Sequence, residues 1–252
     1  MDILIDYYDQ QDEDKRLQLD RAHNLEYLTT IKYLDKICHG PISILDACAG
    51  TGAYCFYLAG KGHSVTAGDI VSANVDIIKE KQNRNPILHD IYTGDILNLT
   101  QFEDESFDVV LCLGAFYHLH NDADRKKAVL ECKRVAKGGG LIVVAYLNRF
   151  ASFVNNFSNN PDNIQEILNQ FYTGSRNVFY RSTPAEVECL MAECEIIKKY
   201  NIATDGIAFM YSKQLQNISE EEFAGYLNYH YDTCENTNIL GYSLHGLFIG
   251  TK

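Results

Sequence analysis

The chain has 252 residues, 46% of them hydrophobic and 22% charged, with a formal net charge of −12. That length supports one sizeable buried core without disulfides or metals, and the composition is that of a globular domain rather than a disordered or fibrous chain. With 34 acidic against 22 basic side chains and no bilayer-length apolar run, a surface for long nucleic acid, which needs a basic patch, and a membrane span are both disfavoured.

The first 15 residues, "MDILIDYYDQQDEDK", carry no positive leading segment and are not expected to be a signal peptide. Residues 1–40 read as an N-terminal helical cap containing Tyr7, Tyr8 and His23, the last a capping or interhelical histidine. "ISILDAC" (42–48) predicts a buried strand, and 53–61 a helix that ends at Gly60 or Gly62. "HSVTAGDI" (63–70) predicts a second strand, 72–84 a helix, "PILHDIYTGDI" (86–96) a third strand and "FDVVLCLGAF" (107–116) a fourth. An amphipathic helix follows over 122–137 and stops at "KGGG". Its basic residues, Arg125, Lys126, Lys127, Lys133, Arg134 and Lys137, read as a solvated face. "GLIVVAYL" (140–147) is strand five.

Residues 148–182, rich in Asn and aromatics such as Phe150, Phe153, Phe157 and Phe171, are expected to form a lid over an acceptor site. Thr183, Pro184 and Glu186 then spell a helix start, with an N-cap, a first-turn proline and a capping-box partner. A strand is expected at 196–204, a second capping box at Ser219 and Glu222 opens a helix to about residue 234, and 243–251 is a last strand. Tyr226, Tyr229 and His230 fall on one face of that helix, as a pocket wall or as core.

Apolar strands that do not alternate, each followed by a helix, indicate a parallel sheet covered on both faces. The expected architecture is a doubly wound, Rossmann-like α/β domain with seven strands and an antiparallel last strand, spanning residues 1–252. Residues 41–147 form its cofactor-binding core, and 183–252 complete the sheet and the substrate wall. Ligands in such sheets bind outside the carboxyl ends of the strands. The eight cysteines form no CxxC pair, so no zinc ribbon is expected. They suit a reducing, cytoplasmic compartment.

The turn in "ILDACAGTGAYC" (44–55) lacks the Gly-Lys-Ser/Thr of a phosphate loop. Cys55 stands where a dinucleotide fingerprint would place its third glycine. S-adenosylmethionine, which has a ribose diol and an adenine but no phosphate, is the remaining candidate. Glycines let backbone approach a ligand. Asp69, 19 residues after Gly50, ends strand two, where a carboxylate can accept from both ribose hydroxyls. Asp95, in "TGDIL", can accept from the adenine amino group, with the Ile96 N–H reaching a ring nitrogen.

"ILDACAGTG", "AGDI", "TGDIL", "FDVVLCLGAFYHL" and "CKRVAKGGGLIVV" together resemble the successive motifs of class I S-adenosylmethionine-dependent methyltransferases of the small-molecule, quinone-biosynthesis-like branch. The resemblance covers residues 40–147 closely and 180–251 in outline. It implies that Asp46, Ala47, Gly50 and Gly52 form the first cofactor motif and that Asp69 and Ile70 take the ribose. Asp95 and Ile96 would take the adenine, and Leu113 would line the methionine portion. Cys48 departs from the family's acid-x-Gly-x-Gly-x-Gly, standing at the first glycine.

His118, in "GAFYHLH", is the candidate base, or else a loop histidine that orients substrate or packs the lid. Tyr8 can reach over the cofactor from the N-terminal segment, Tyr117 can stack on a substrate, and His120 is expected to be exposed. The expected partner is a small-molecule acceptor, with no nucleic acid, no membrane and no metal, in a monomer or homodimer. Two other readings stand beside this one: a non-catalytic binder or sensor of S-adenosylmethionine or its demethylated product, and, more distantly, a nicotinamide oxidoreductase.

Overall fold

The computed structural model describes residues 19–252. Tyr7 and Tyr8 lie outside the described residues. Helix α1 (Arg21–Ile37) begins at Asp20, whose Oδ1 accepts from the His23 N–H at 2.9 Å and contacts its Nδ1 at 2.9 Å. His23 is thus part of a helix cap.

Four strands and three helices then alternate: β1 (Ser43–Asp46), α2 (Ala53–Gly60), β2 (Ser64–Asp69), α3 (Ser72–Arg84), β3 (Asp90–Thr93), β4 (Phe107–Cys112) and, after a 3₁₀ turn at Ala115–His118, α4 (Asp122–Val135). β5 (Ala136–Asn148) is followed by a helical pair, α5 (Arg149–Asn159) and α6 (Ile164–Thr173), and a short hairpin, β6 (Ser175–Arg176) and β7 (Phe179–Ser182). The chain closes with α7 (Pro184–Glu193), β8 (Ile197–Ala203), α8 (Ser212–Asn217), α9 (Glu220–Thr233), α10 (Thr237–Leu240) and β9 (His245–Thr251).

The sheet runs β3-β2-β1-β4-β5 in parallel; β9 pairs antiparallel with β5 and with β8. All seven expected strands are present. The hairpin adds two more, and β7 joins β5 in parallel at Leu147↔Arg181 and Asn148↔Ser182. β9 occupies one edge of β5 through Leu147, and β4 pairs with its other edge only as far as Val144. β7 therefore takes the stretch of edge beyond the end of β4, which sets the hairpin over the carboxyl end of the sheet.

Adjacent residues of the central strands face opposite layers. Ile44, Leu111, Val143 and Ile249 pack with Leu34, Cys55 and Leu58 of α1 and α2. Leu45, Val110, Val144 and Phe248 pack with Val129, Cys132 and Met191 of α4 and α7. Both faces are covered, so the strands are apolar without alternation. The two capping boxes form: Thr183 Oγ1 accepts from the Glu186 N–H at 3.2 Å, and Ser219 Oγ from the Glu222 N–H at 3.2 Å.

Three expectations are corrected by the structure. β3 covers only four residues of the 86–96 run, because the Gln82 side chain bonds the N–H groups of Ile87 and Leu88 and the Leu88 carbonyl. "KGGG" does not stop a helix; α4 ends at Val135, Ala136 pairs with Phe107, and the glycines form an irregularity inside β5, with Gly139 at φ 76°. The basic face is not uniformly solvated, since Arg125 is buried. Of the three α9 residues, Tyr229 is exposed and the other two face the core. His230 is buried with Nε2 2.9 Å from Thr29 Oγ1, and Tyr226 packs beside Leu25 and Leu215.

Tyr146 lies flat across its strand partner Gly246, and its hydroxyl donates to Asn201 Oδ1 at 2.9 Å. A Cβ at Gly246 would sit 2.2 Å from that ring. Gly246→Ala is expected to displace the ring and lose its hydrogen bond, lowering stability by about 2–4 kcal/mol. Urea unfolding of the two proteins measures the difference.

Candidate cofactor and acceptor site

At the carboxyl ends of β1, β2, β3 and β4 the loops enclose a cavity of about 470 Å³. Its first wall is the β1–α2 loop, Ala47 to Thr51. This loop turns sharply because Gly50 and Gly52 adopt φ 53° and φ 99°, a left-handed region that other residues avoid. A side chain at Gly52 would also meet the Phe56 ring at 2.9 Å. The loop is tied to the end of β2 by Asp69. Its Oδ2 accepts from the Gly50 N–H at 2.8 Å, and its Oδ1 from the Val71 N–H at 2.9 Å and from Asn74 Nδ2 at 3.3 Å. Burial raises the Asp69 carboxyl above its ordinary value, against the pull of these donors.

Past β3, Asp95 turns the chain by accepting from the Leu97 N–H at 2.9 Å through Oδ1, and Ile96 is buried beside it. Past β4, Leu113 and the 3₁₀ turn form the far wall. His118 Nδ1 lies 2.9 Å from the Val178 carbonyl. Only a protonated Nδ1 can make that bond, so the neutral ring carries its lone pair on Nε2. Burial pushes His118 down to about 4. Its ring stands 5.1 Å from that of Phe179 and 4.9 Å from that of Tyr117.

Residues 45–144 match the methyltransferase domain family. Among relatives, a glycine/sarcosine N-methyltransferase of Aphanothece halophytica is 32% identical over 112 residues, 44% of this chain and 42% of that protein. A ubiquinone biosynthesis O-methyltransferase of Maricaulis maris is 31% identical over 108 residues, 43% and 41% of the two chains. The chain thus matches less than half the length of these relatives. An S-adenosylmethionine-dependent methyltransferase from Methanosarcina mazei has the same fold, with a TM-score of 0.62 at 16% identity, over 87% of this chain and 96% of the other.

The carboxyl end of the sheet gathers Ala47, Gly50, Asp69, Ile70, Asp95, Ile96, Leu113 and His118 around the cavity. Two expected residues act from behind it. Gly52 opens α2, and Asp46 is fully buried beneath the loop, off the cavity wall. Cys48, at the departed glycine, does line the cavity and packs against Gly114, whose Cβ position lies 3.8 Å from the Cys48 Cβ. The neighbouring Cys112 thiol and burial hold the Cys48 thiol protonated.

Among the contributors not singled out in the sequence are Asp124 at the start of α4, and Asn177 and Val178 in the β6–β7 hairpin. A turn residue in "SRNVFY" was the available signal, since Asn177 takes φ 51° there. Arg125 supports them from below. It bonds the Leu119 carbonyl and Asp122, and its guanidinium carbon lies 3.6 Å from the centre of the Tyr180 ring. His120 is exposed, with Nδ1 3.1 Å from Ser175 Oγ.

Among the described residues neither Asp46 oxygen has a hydrogen-bond partner of ordinary geometry, and the nearby Cys48 N–H favours its charge. Burial first, and the Asp69 charge second, push Asp46 up to about 7. The native state thus keeps a proton that an unfolded carboxylate, titrating near about 4, releases. The resulting stability is full below about pH 4 and is lost as pH rises toward about 7. Thermal melting at steps between those values is expected to show a steeper fall for the wild type than for Asp46→Asn.

Proposed function

We propose that the chain is an S-adenosylmethionine-dependent methyltransferase that acts on a small-molecule acceptor. The observation that carries this reading is the pair of acids at the cavity wall, Asp69 bound to the Gly50 N–H and Asp95 held by its own turn, at the carboxyl ends of adjacent strands. The donor set suits the nucleoside. Asp69 keeps lone pairs for a ribose diol, and Asp95 keeps its second oxygen for the adenine amino group beside the Ile96 N–H. Gly50 leaves open space, with nothing within 4 Å of where its Cβ would be, for the amino-acid end, and Leu113 flanks the methionine portion.

S-adenosylmethionine, once bound, supplies a methyl on a positively charged sulfur, ready for in-line displacement. The protein's work is to hold the acceptor in line and exclude water. Tyr117, His118, Asn177 and Val178 form the acceptor end of the cavity. His118, fixed through Nδ1, presents Nε2 as a proton acceptor for a hydroxyl or ammonium acceptor. Tyr8 remains a proposed contact from the N-terminal segment. The relatives named for glycine, sarcosine and ubiquinone biosynthesis support a small-molecule acceptor. No helix among the described residues is long and apolar enough to cross a membrane. Eight free cysteines fit a reducing cytoplasm, and the chain would act there as a monomer or homodimer.

Calorimetry and turnover test this. Asp69→Asn is expected to weaken S-adenosylmethionine binding by about 10–100-fold, as for a lost hydrogen bond to a charged group. His118→Asn is expected to leave that affinity intact and to lower kcat/KM by about 100-fold or more. Because burial holds His118 near about 4, its acid limb in kcat/KM should lie near that pH. Labelled S-adenosylmethionine, given with a metabolite extract, should yield a labelled small product; binding without any product would overturn catalysis in favour of a sensor.

A further inference from the structure

Behind the hairpin lies a second, smaller cavity, closed by α5, α6 and β7. It leaves about 10 Å³ for the centre of a water-sized sphere, roughly enough for a single small occupant. Ser152, Asn156 and Gln170 wall it beside the rings of Phe153 and Phe171. The Arg181 side chain enters from β7. Its Nε and Nη1 are shielded from water and have no hydrogen-bond partner among the described residues. A buried guanidinium with two unpaired N–H groups is among the most unfavourable arrangements a fold can keep, unless an anion completes it.

The surrounding charges do not supply that anion. Arg149 donates from Nε to the Arg181 carbonyl at 3.1 Å, and its own ion pair is with Glu186 at 3.0 Å. Arg176 bonds Asn156 Oδ1 at 2.9 Å. Glu166, exposed on α6, accepts from Gln170 Nε2 at 2.9 Å. Three arginines thus converge on this corner of a chain whose net charge is −12, and both carboxylates there are already engaged elsewhere. Burial, and then the Arg176 charge, lower Arg181 to about 10, so it stays protonated at neutral pH.

We propose that this cavity binds one small monovalent anion, of chloride or formate size, held in the fork of the Arg181 Nε–H and Nη1–H. The planar fork matches a halide or one carboxylate edge. An anion there would tie α5 and α6 to the strand that follows Val178, the residue that holds His118. The site does not depend on the methyl-transfer reading, because none of its walls belongs to the larger cavity.

The test is thermal melting of the full chain at constant ionic strength, with sodium isethionate replaced stepwise by chloride or by formate. A saturable rise in Tm is expected, about 2–4 °C at tenfold the dissociation constant. Excess ³⁵Cl line broadening that formate displaces should accompany it. Both responses should vanish in Arg181→Gln, and also in Ser152→Val, which fills the cavity and leaves Arg181 in place. Should Arg181→Gln not fold, the Ser152 variant decides. A Tm that does not change as chloride or formate replaces isethionate, or responses unchanged in the variants, would mean general screening only and would overturn the site.

Discussion

The cavity exists because one carboxylate joins two loops. Asp69 accepts from Gly50 on one side and from Val71 and Asn74 on the other, so the β1–α2 and β2–α3 loops are fixed to each other as well as to their strands. A parallel sheet leaves the N–H groups of such loops without sheet partners, and they need acceptors. A single acid at the end of β2 meets that need for three donors. It does so only because Gly50 takes φ 53°, which aims its N–H at Asp69. The side chain that joins the loops is thus also the one that the proposed function assigns to the ribose.

The acceptor end is built by different means. Strand β5 outruns β4 by several residues, and β7 occupies the edge left open. That short parallel pairing brings Val178 within reach of His118, and the Tyr180 ring onto the buried Arg125 guanidinium. Arg125 in turn bonds the Leu119 carbonyl, so the turn bearing His118 is held from above by the hairpin and from below by α4. A histidine placed this way cannot rotate without breaking its bond to Val178. Burial keeps it neutral, which is the state a proton acceptor requires.

The glycine-and-acid wall of the cavity, and His118 on its far side, were readable from the sequence, whereas the hairpin that meets His118 was not, for a physical reason. Asp69, Asp95 and the glycine turn sit at fixed offsets from apolar strands, and strand ends are legible as changes in hydrophobic run and turn residues. The β6–β7 hairpin has two and four residues in its strands. Its position depends on where β4 stops relative to β5, a tertiary fact with no local signature. Arg125 was misread for the same reason: helical spacing puts it among exposed lysines, whereas the Leu119 carbonyl, Asp122 and the ring of Tyr180, 55 residues away, make its burial tolerable. "KGGG" looked like a helix stop because glycine ends helices. Here it serves a strand irregularity, which glycine also permits.

Asp46 and Asp69 end adjacent strands, and each feels the other's charge. Burial raises both carboxyls, but their partners differ. Asp69 has three donors and the cavity wall, which favour the ion. Asp46 is fully buried with no well-formed partner, and the Asp69 charge pushes it further toward the acid. Two ionised carboxylates this close would repel, so a neutral Asp46 allows Asp69 to carry the charge where a ligand can meet it. A cationic ligand drawn into the cavity would lower both carboxyls and favour ionisation of Asp46. Ligand binding and a buried proton are then linked through the sheet edge, without any movement of the backbone.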